Sequence, residues 1–373
     1  MGFACGLIGL PNVGKSTLFN ALMSRAVVAA ENYPFCTIEP HRERVPVPDE
    51  RLAVLSSLVR PANVVEAQLE LVDIAGLVRG ASVGEGLGNR FLQHIRDVHV
   101  LVHVVRCFEG EDITHVDGRI DPMGDIDTIE TELMLADIGC VTTQRAGLEK
   151  RARARDKDAI ALLAQSDIWL AHLDKGHALR SLPLEPQERH ALMMMGALTM
   201  RPVIYVCNVT EGHVVGGFEL SQRVHAWANE QGLPCITISA ALEQALASFS
   251  PQERKDYLEA LGVEDTGLSQ LIRAGYSALG LHTFFTAGDK EVRAWTCQKG
   301  ASAVEAAAVI HSDFAQGFIC AETISYGDYK EWGSHSAAAQ AGKVRKEGRD
   351  YIVCDGDVML FRFHVAKAGK AKK

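Results

Sequence analysis

The chain has 373 residues, 47% of them apolar, and a formal net charge of −9 at pH 7. This length predicts two or three domains, and the apolar content excludes an intrinsically disordered chain. The acidic balance argues against general affinity for nucleic acid, although it leaves room for a local basic face. No apolar run approaches the ~18 residues of a membrane span, and the start lacks a signal-peptide pattern. We therefore expect a cytoplasmic protein with no membrane partner.

Nine cysteines are spread along the chain, and no two of them form a C-x-x-C pair. An odd number at wide spacings is untypical of a disulfide framework or a zinc-binding motif. We interpret most of these cysteines as small buried apolar residues.

The first part of the chain alternates short apolar runs with helix-like segments. Short runs rich in Val, Ile and Leu, separated by helices, predict an α/β domain with a parallel sheet covered on both faces. We assign residues 1–280 to this domain. The strands are predicted at residues 3–8, 69–74, 98–107, 202–207 and 234–238.

Between residues 128 and 200 the apolar residues recur at helical spacing, as in Ile129, Leu133 and Ala136, and Pro186 can open a further helix. We interpret this stretch as a helical insertion of the coiled-coil arm type. From residue 281 to 365 the pattern predicts a small α+β domain, and residues 366–373 form a basic tail. Its strands are predicted at 283–285, 292–296, 318–324, 351–353 and 358–363, with a helix at 303–314.

Residues 9–16 match the phosphate-loop (P-loop) pattern G-x-x-x-x-G-K-[ST] between a predicted strand and a predicted helix. In such a loop, backbone N–H groups cradle the phosphates, the lysine reaches the β- and γ-phosphates, and the hydroxyl binds Mg²⁺. We predict that Lys15 is catalytic, that Ser16 binds the metal, and that Asn12 helps to hold K⁺. The predicted nucleotide-binding residues of this segment are Asn12, Val13, Gly14, Lys15, Ser16 and Thr17.

Further residues are expected around the γ-phosphate. Asp73 and Gly76 form a D-x-x-G pattern after a predicted strand, so Asp73 can hold Mg²⁺ through water and the Gly76 amide can meet the phosphate. Thr37, between the P-loop helix and that strand, is the candidate second hydroxyl ligand of the metal. The glycine-rich residues 80–88 predict a loop that becomes ordered around the γ-phosphate.

The base site is predicted where the segment 208–211 reads Asn-Val-Thr-Glu in place of the N-K-x-D of GTPases. Val209 cannot lay a long stem over the base, and the longer Glu211 would misplace the carboxylate that accepts from guanine. We infer weakened guanine selectivity, with adenine at least tolerated. After a later strand, the backbone of Ser239, Ala240 and Ala241 is predicted to close over the base. Asn208, Val209 and Glu211 complete this predicted site.

The residue after Gly76 is Leu77, where Ras-like enzymes carry a glutamine that positions the attacking water. Leucine cannot orient water, so another group must do so or hydrolysis is slow. We predict that His115 does this, because its loop follows a strand at the ligand-binding edge of the sheet. The alternative is a solvated loop histidine.

Taken together, these motifs resemble the YchF/Obg-like ATPase family of Obg-related P-loop proteins. The resemblance extends from residue 1 to 365 and includes segments 32–37, 286–288, 291–295 and 350–357, although segment 29–33 is one residue longer than is usual in the family. It implies a G domain, an inserted helical arm and a C-terminal TGS domain with a ubiquitin-like β-grasp fold. It also implies an ATPase that prefers ATP or accepts GTP as well, associates with the ribosome through the large subunit or the whole particle, and acts in translation and stress responses.

Two basic clusters are candidates for RNA contact, one between Arg145 and Lys157 in the arm and one between Lys343 and Arg349 in the TGS domain. Binding to RNA phosphates would be salt-sensitive, whereas a solvated helix face is the alternative. Two other functions stay open. One is an Obg-type GTPase switch, and the other is a ribosome- or RNA-binding module in which nucleotide is a structural ligand.

Overall fold

The structure, a computed structural model, describes residues 3–30, 42–74, 87–109 and 120–364. The chain forms two compact units, the first of Met1–Val45 with Glu70–Gly275 and the second of Pro46–Leu69 with Tyr276–Lys373. None of the helices within these described ranges has both the length and the apolar composition needed to cross a membrane.

The described residues form twelve strands and fourteen α-helices, which alternate along most of the first unit. The strands of the described chain are β1 (Ala4–Ile8), β2 (Arg42–Pro46), β3 (Asn63–Val65), β4 (Gln68–Asp73), β5 (Val100–Arg106), β6 (Val203–Asn208), β7 (Cys235–Ile238), β8 (Leu281–Ala287), β9 (Glu291–Gln298), β10 (Phe318–Ile324), β11 (Arg345–Glu347) and β12 (Val358–Phe363). The helices are α1 (Lys15–Ala30), α2 (Glu50–Val59), α3 (Leu87–Arg96), α4 (Pro122–Arg153), α5 (Lys157–Asp174), α6 (Pro186–Met195), α7 (Glu219–Glu230), α8 (Ala240–Leu246), α9 (Pro251–Leu261), α10 (Gly267–Ala278), α11 (Ala303–Ile310), α12 (Ser312–Gln316), α13 (Tyr326–Trp332) and α14 (His335–Gln340).

The sheet of the first unit has the strand order β2-β4-β1-β5-β6-β7. Neighbouring strands from β4 to β7 run parallel, and β1, β5 and β6 are buried along their whole length. Full burial explains why these strands are mainly apolar, as the α/β prediction required. Because the strands are parallel, their carboxyl ends meet at one edge, where Ile8, Asp73, Arg106 and Asn208 lie.

The inserted arm begins at Pro122, six residues before the predicted boundary at 128. Asp121 caps α4 by accepting from the Gly124 N–H, and proline in the first turn is pre-organised for a helix. Asp156 caps α5 by accepting from the amides of Asp158 and Ala159. The predicted third helix opens at Pro186 as α6, and its core with α4 and α5 contains Val141, Trp169, Leu173, Leu179 and Leu192.

The second unit has its own sheet, in the order β11-β10-β12-β8-β9-β3. β8 and β9 form an antiparallel pair, β12 lies parallel to β8, and β10 is antiparallel to both β11 and β12. Helix α11 buries Ala303, Ala306 and Ala307 in a core with Phe284 and Phe361. Five of the six strands therefore have the order and directions expected of a β-grasp sheet.

The sixth strand changes the expected domain division. β3 pairs in parallel with β9, so Pro46–Leu69 belongs to the second unit, although the sequence placed it inside the first domain. Arg51 helps to hold this segment, since it pairs with Asp49 at 2.8 Å and Asp355 at 2.6 Å and lies over the Phe285 ring. Two of these partners, Asp355 and Phe285, lie far from the segment along the chain, where local patterns cannot reveal them.

Three further local expectations differ from the structure. The predicted helix at 303–314 is interrupted at His311, whose extended backbone (φ −163°, ψ 145°) separates α11 from α12. Residues 351–353 form only an isolated bridge, between Ser302 and Ile352. Helix α3 begins at Leu87, inside the glycine-rich stretch that was predicted to be loop. Its amphipathic continuation, with Phe91, Leu92 and Ile95 buried, accounts for the early start.

Candidate nucleotide-binding site

The P-loop connects β1 to α1 and has positive φ at Gly9 (146°), Asn12 (61°) and Gly14 (97°). A Cβ on Gly9 would lie 2.4 Å from the carbonyl oxygen of Val104, and a Cβ on Gly14 would lie 2.2 Å from Nδ2 of Asn208. Glycine is therefore required at both positions for two reasons: the positive φ, and the close approach of β5 and β6. The loop is held as a tight turn at the start of α1, where a helix N-terminus favours anions.

Lys15 is only 7% exposed, and its ammonium group donates to the carbonyl oxygens of Gly9 (3.0 Å) and Leu10 (2.7 Å). Burial lowers the pKa of Lys15 to about 8, while the negative charge of Asp73 acts in the opposite direction. The loop therefore holds a partly desolvated cation against its own backbone. A polyphosphate is a strong alternative partner for such a group.

The predicted metal ligands Ser16 and Asp73 lie at the start of α1 and at the end of β4. Ser16 is exposed in the first turn of α1, and half-buried Asp73 ends β4 opposite Leu7 of β1. The effect of Asp73 on the pKa of Lys15 places its carboxylate in the electrostatic environment of the loop. A hydroxyl and a carboxylate are the oxygen ligands that Mg²⁺ prefers, so these residues fit that ion. When bound, Mg²⁺ would neutralise phosphate charge.

Asn208 connects the base side of the site to the P-loop. Its buried carboxamide donates from Nδ2 to the Val13 carbonyl (2.9 Å) and accepts at Oδ1 from the Ala240 N–H (3.0 Å). One side chain thus joins the end of β6, the P-loop and the first turn of α8. The Ala240 amide was expected to close over the base, but in the structure it binds Asn208.

The other residues predicted around the base occupy the loops after β6 and β7. Val209 is buried and donates its N–H to the Ile238 carbonyl (2.9 Å), while Ser239 caps α8 through a hydrogen bond from the Leu242 N–H. Ala241 is exposed in the first turn of α8. The structure therefore brings this predicted set together at the sheet edge beside the P-loop.

Glu211 is exposed in a short 3₁₀ helix, and its carboxylate accepts a hydrogen bond from the hydroxyl of Tyr257 on α9. This hydrogen bond raises the pKa of Tyr257. Nothing in the local sequence pattern predicts Tyr257 as the partner of Glu211, because the two residues lie 46 positions apart. A carboxylate already engaged by a hydroxyl is less available to accept from guanine, which agrees with the inferred loss of guanine selectivity.

Four residues with predicted roles lie outside the described part of the chain: Thr37, Gly76, Leu77 and His115. Their assignments stay predictions. Asn12 and Thr17 are described, with Asn12 exposed in the loop at positive φ and Thr17 half-buried in the first turn of α1.

Replacing Asn208 with alanine removes both hydrogen bonds that join the P-loop to α8. Two such bonds, at about 1 kcal/mol each, correspond to a 10- to 100-fold loss in affinity for a Mg²⁺–nucleoside triphosphate. Titration calorimetry measures this loss. Asn229→Ala, on the exposed face of α7, is the matched control and should bind normally. Equal affinities of the two variants would contradict this role of Asn208.

The lowered pKa of Lys15 makes nucleotide binding pH-dependent. Between its folded-state pKa of about 8 and its ordinary value of 10.5, the unfolded chain binds more protons, so the Lys15 contribution to the stability of the nucleotide-free protein rises with pH. Phosphate binding needs the charged form. We therefore expect affinity to fall above about pH 8, with proton uptake on binding at about pH 9 and much less at about pH 7.

Calorimetry in two buffers of different ionisation enthalpy measures the proton uptake attributed to Lys15. The control is Lys15→Arg, which stays charged throughout this pH range. Proton uptake that is the same in the arginine variant would assign the titration to another group.

The comparisons with known proteins cover both units. A family model described as "50S ribosome-binding GTPase" matches residues 4–135, and the YchF-GTPase_C model, described as a protein of unknown function (DUF933), matches residues 281–364. Proteins named "Ribosome-binding ATPase YchF" from Haemophilus influenzae, Escherichia coli O157:H7 and Bacillus subtilis are 50%, 48% and 45% identical to the chain. Each alignment covers 98% of this chain and 100% of the relative.

A solved structure agrees with these relatives. The Schizosaccharomyces pombe YchF GTPase structure is 34% identical, with a TM-score of 0.88, over 97% of this chain and 98% of the other. Full-length similarity of this degree in both sequence and structure extends from the P-loop to the C-terminal sheet. The chain belongs to the YchF family.

Proposed function

We propose that this protein is a Mg²⁺-dependent ATPase that binds the ribosome and acts as a nucleotide-dependent switch in translation and stress responses. The observation that carries the proposal is the P-loop, in which Gly9 and Gly14 allow no Cβ and Lys15 is held as a partly buried cation. The names of the full-length relatives support both the ATPase activity and the ribosome as partner. With that partner, its place is the cytoplasm.

The preference for ATP, with GTP accepted, rests on the residues at the base site. Val209 is buried with its N–H bound to Ile238, so it offers no long stem to cover guanine. Glu211 is engaged by Tyr257. A site that does not bond the guanine donors loses its means of rejecting adenine.

The proposed chemistry divides among few groups. Lys15 and the loop amides bind the β- and γ-phosphates, and Ser16, Thr37 and Asp73 hold Mg²⁺, with Asp73 acting through water. The Gly76 amide meets the γ-phosphate. His115 positions the attacking water, and Asn12 contributes to a K⁺ site.

For the ribosomal contact we favour the turn between α4 and α5. Arg145 pairs with Asp167 and Arg151 with Asp156, which reduces the net charge of the basic cluster. Lys150, Arg153 and Arg155 are exposed at the end of the arm, where they can reach RNA phosphates of the large subunit or of the whole ribosome. In the C-terminal patch, Lys343 and Arg345 pair with Asp328 and Asp357, which makes a second contact there weaker.

Dissociation constants for ATP and GTP, measured with Mg²⁺ on the purified protein, test the base assignment. We expect ATP to bind at least as tightly as GTP, because Glu211 and Val209 do not reproduce the guanine contacts. A strong GTP preference would support the GTPase alternative instead.

Lys15→Ala should abolish hydrolysis, because the phosphates lose their cation. Ribosome association and cellular function that persist in Lys15→Ala would support the binding-module alternative.

His115→Ala tests the proposed water-positioning group. We expect slower turnover, by the 100-fold or more typical of removing such a catalytic group, with nearly unchanged ATP affinity. Single-turnover hydrolysis and calorimetry separate the two effects. His213→Ala, which replaces a histidine of the loop after β6, serves as the control. Unchanged turnover in His115→Ala would remove His115 from the mechanism.

A further inference from the structure

Two cysteines and a histidine of the first unit lie together on the side of the sheet that carries α7. Cys207 is buried on β6, and Cys235 at the start of β7 and His225 on α7 are half-buried. One possible ligand atom from each of the three lies within 4.8 Å of the others. None of the three residues has a part in the proposed hydrolysis.

The separation of the two sulfur atoms suits a tetrahedral metal. The Sγ atoms of Cys207 and Cys235 are 3.7 Å apart. Two thiolates at the usual Zn–S length of about 2.3 Å in a tetrahedron are about 3.8 Å apart. The sulfurs thus already stand at the spacing that a Zn²⁺ ion requires.

The strand register argues against a disulfide as the purpose of this pair. In the parallel pairing of β6 and β7, Tyr205 lies opposite Cys235, and Cys207 lies opposite Thr237. Cys207 and Cys235 are therefore diagonal neighbours, whose Cα atoms in a sheet are about 7–8 Å apart. A disulfide needs about 4.4–6.8 Å, so closing one would require backbone movement. A metal ion between the sulfurs spans the larger distance.

Hydrogen bonds join the cluster residues to one another and to a neighbouring side chain. Cys235 lies within hydrogen-bonding contact of both Cys207 and His225, so the three side chains form one connected group. His225 Nε2 hydrogen bonds Thr237 Oγ1 at 2.8 Å, a contact that fixes the ring.

We propose that Cys207, Cys235 and His225 bind one Zn²⁺ ion, with water in the fourth position. On binding, each cysteine that is still a thiol releases its proton to solvent, which leaves two thiolates and one neutral imidazole nitrogen on the metal. The wide spacing of the cysteines in the sequence argued against such a site. The fold supplies it by bringing β6, α7 and β7 together. Because Cys207 directly precedes Asn208, the metal braces the strand that supports the P-loop.

Co²⁺ added alone to the metal-free, reduced, full-length protein tests the site. We expect one equivalent to give a thiolate-to-metal charge-transfer band and the intense visible bands of tetrahedral Co²⁺, and Zn²⁺ to displace it. Co²⁺ bound by oxygen ligands at the P-loop gives neither signal, so this result is independent of the proposed ATPase function. In Cys235→Ser, the affinity for Zn²⁺ should fall at least 100-fold, since even loss of a residue that only supports a ligand costs 10- to 100-fold.

His225→Gln provides a second variant that removes a half-buried ligand, and circular dichroism establishes that each variant is folded. Cys320→Ser, a half-buried cysteine of the second unit, is the matched control and should leave the cobalt spectrum unchanged. A protein without the charge-transfer band, or with a band that persists in folded Cys235→Ser, would overturn the proposal. Rapid formation of a Cys207–Cys235 disulfide that excess Zn²⁺ does not slow would also overturn it.

Discussion

The close approach of the P-loop backbone to the ends of β5 and β6 is the constraint on which the candidate site depends. Gly9 and Gly14 sit so close to Val104 and Asn208 that neither position has room for a methyl group. This approach lets a single carboxamide, that of Asn208, bind the loop and α8 at once. The P-loop and the first turn of α8 are therefore joined to the end of β6 through one side chain.

Much of the fold is predictable from local pattern. Strands β1, β5 and β6 are buried on both faces, and such burial requires mainly apolar residues along the whole strand, which the sequence pattern reveals. The P-loop is equally predictable from the sequence, because its backbone geometry requires the two glycines and the phosphate charge requires the lysine. Helical spacing predicts the arm and Pro186 predicts the start of α6, whereas Pro122, which starts α4, lies six residues before the predicted boundary.

Three of the features that escaped prediction depend on partners distant in the chain. The Glu211–Tyr257 hydrogen bond, the Cys207–His225–Cys235 cluster and the pairing of β3 with β9 are created by the fold and leave no local trace. The break at His311 has a different cause, since His311 has an extended backbone and caps α12 by accepting a hydrogen bond from the Asp313 N–H. The base-site residues stay a prediction, and their local pattern gave no sign that the Ala240 N–H binds Asn208.

The pairing of β3 with β9 bears on how the chain can be divided. The polypeptide passes from one unit to the other after Val45, Leu69 and Gly275, so no single cut separates them. A fragment starting at Tyr276 would lack Arg51 and would leave the outer edge of β9 unpaired. Open strand edges recruit other chains, so such a fragment carries a tendency to aggregate that the intact polypeptide avoids. β3 thus covers the edge strand β9 of a sheet whose other strands are translated more than 200 residues later.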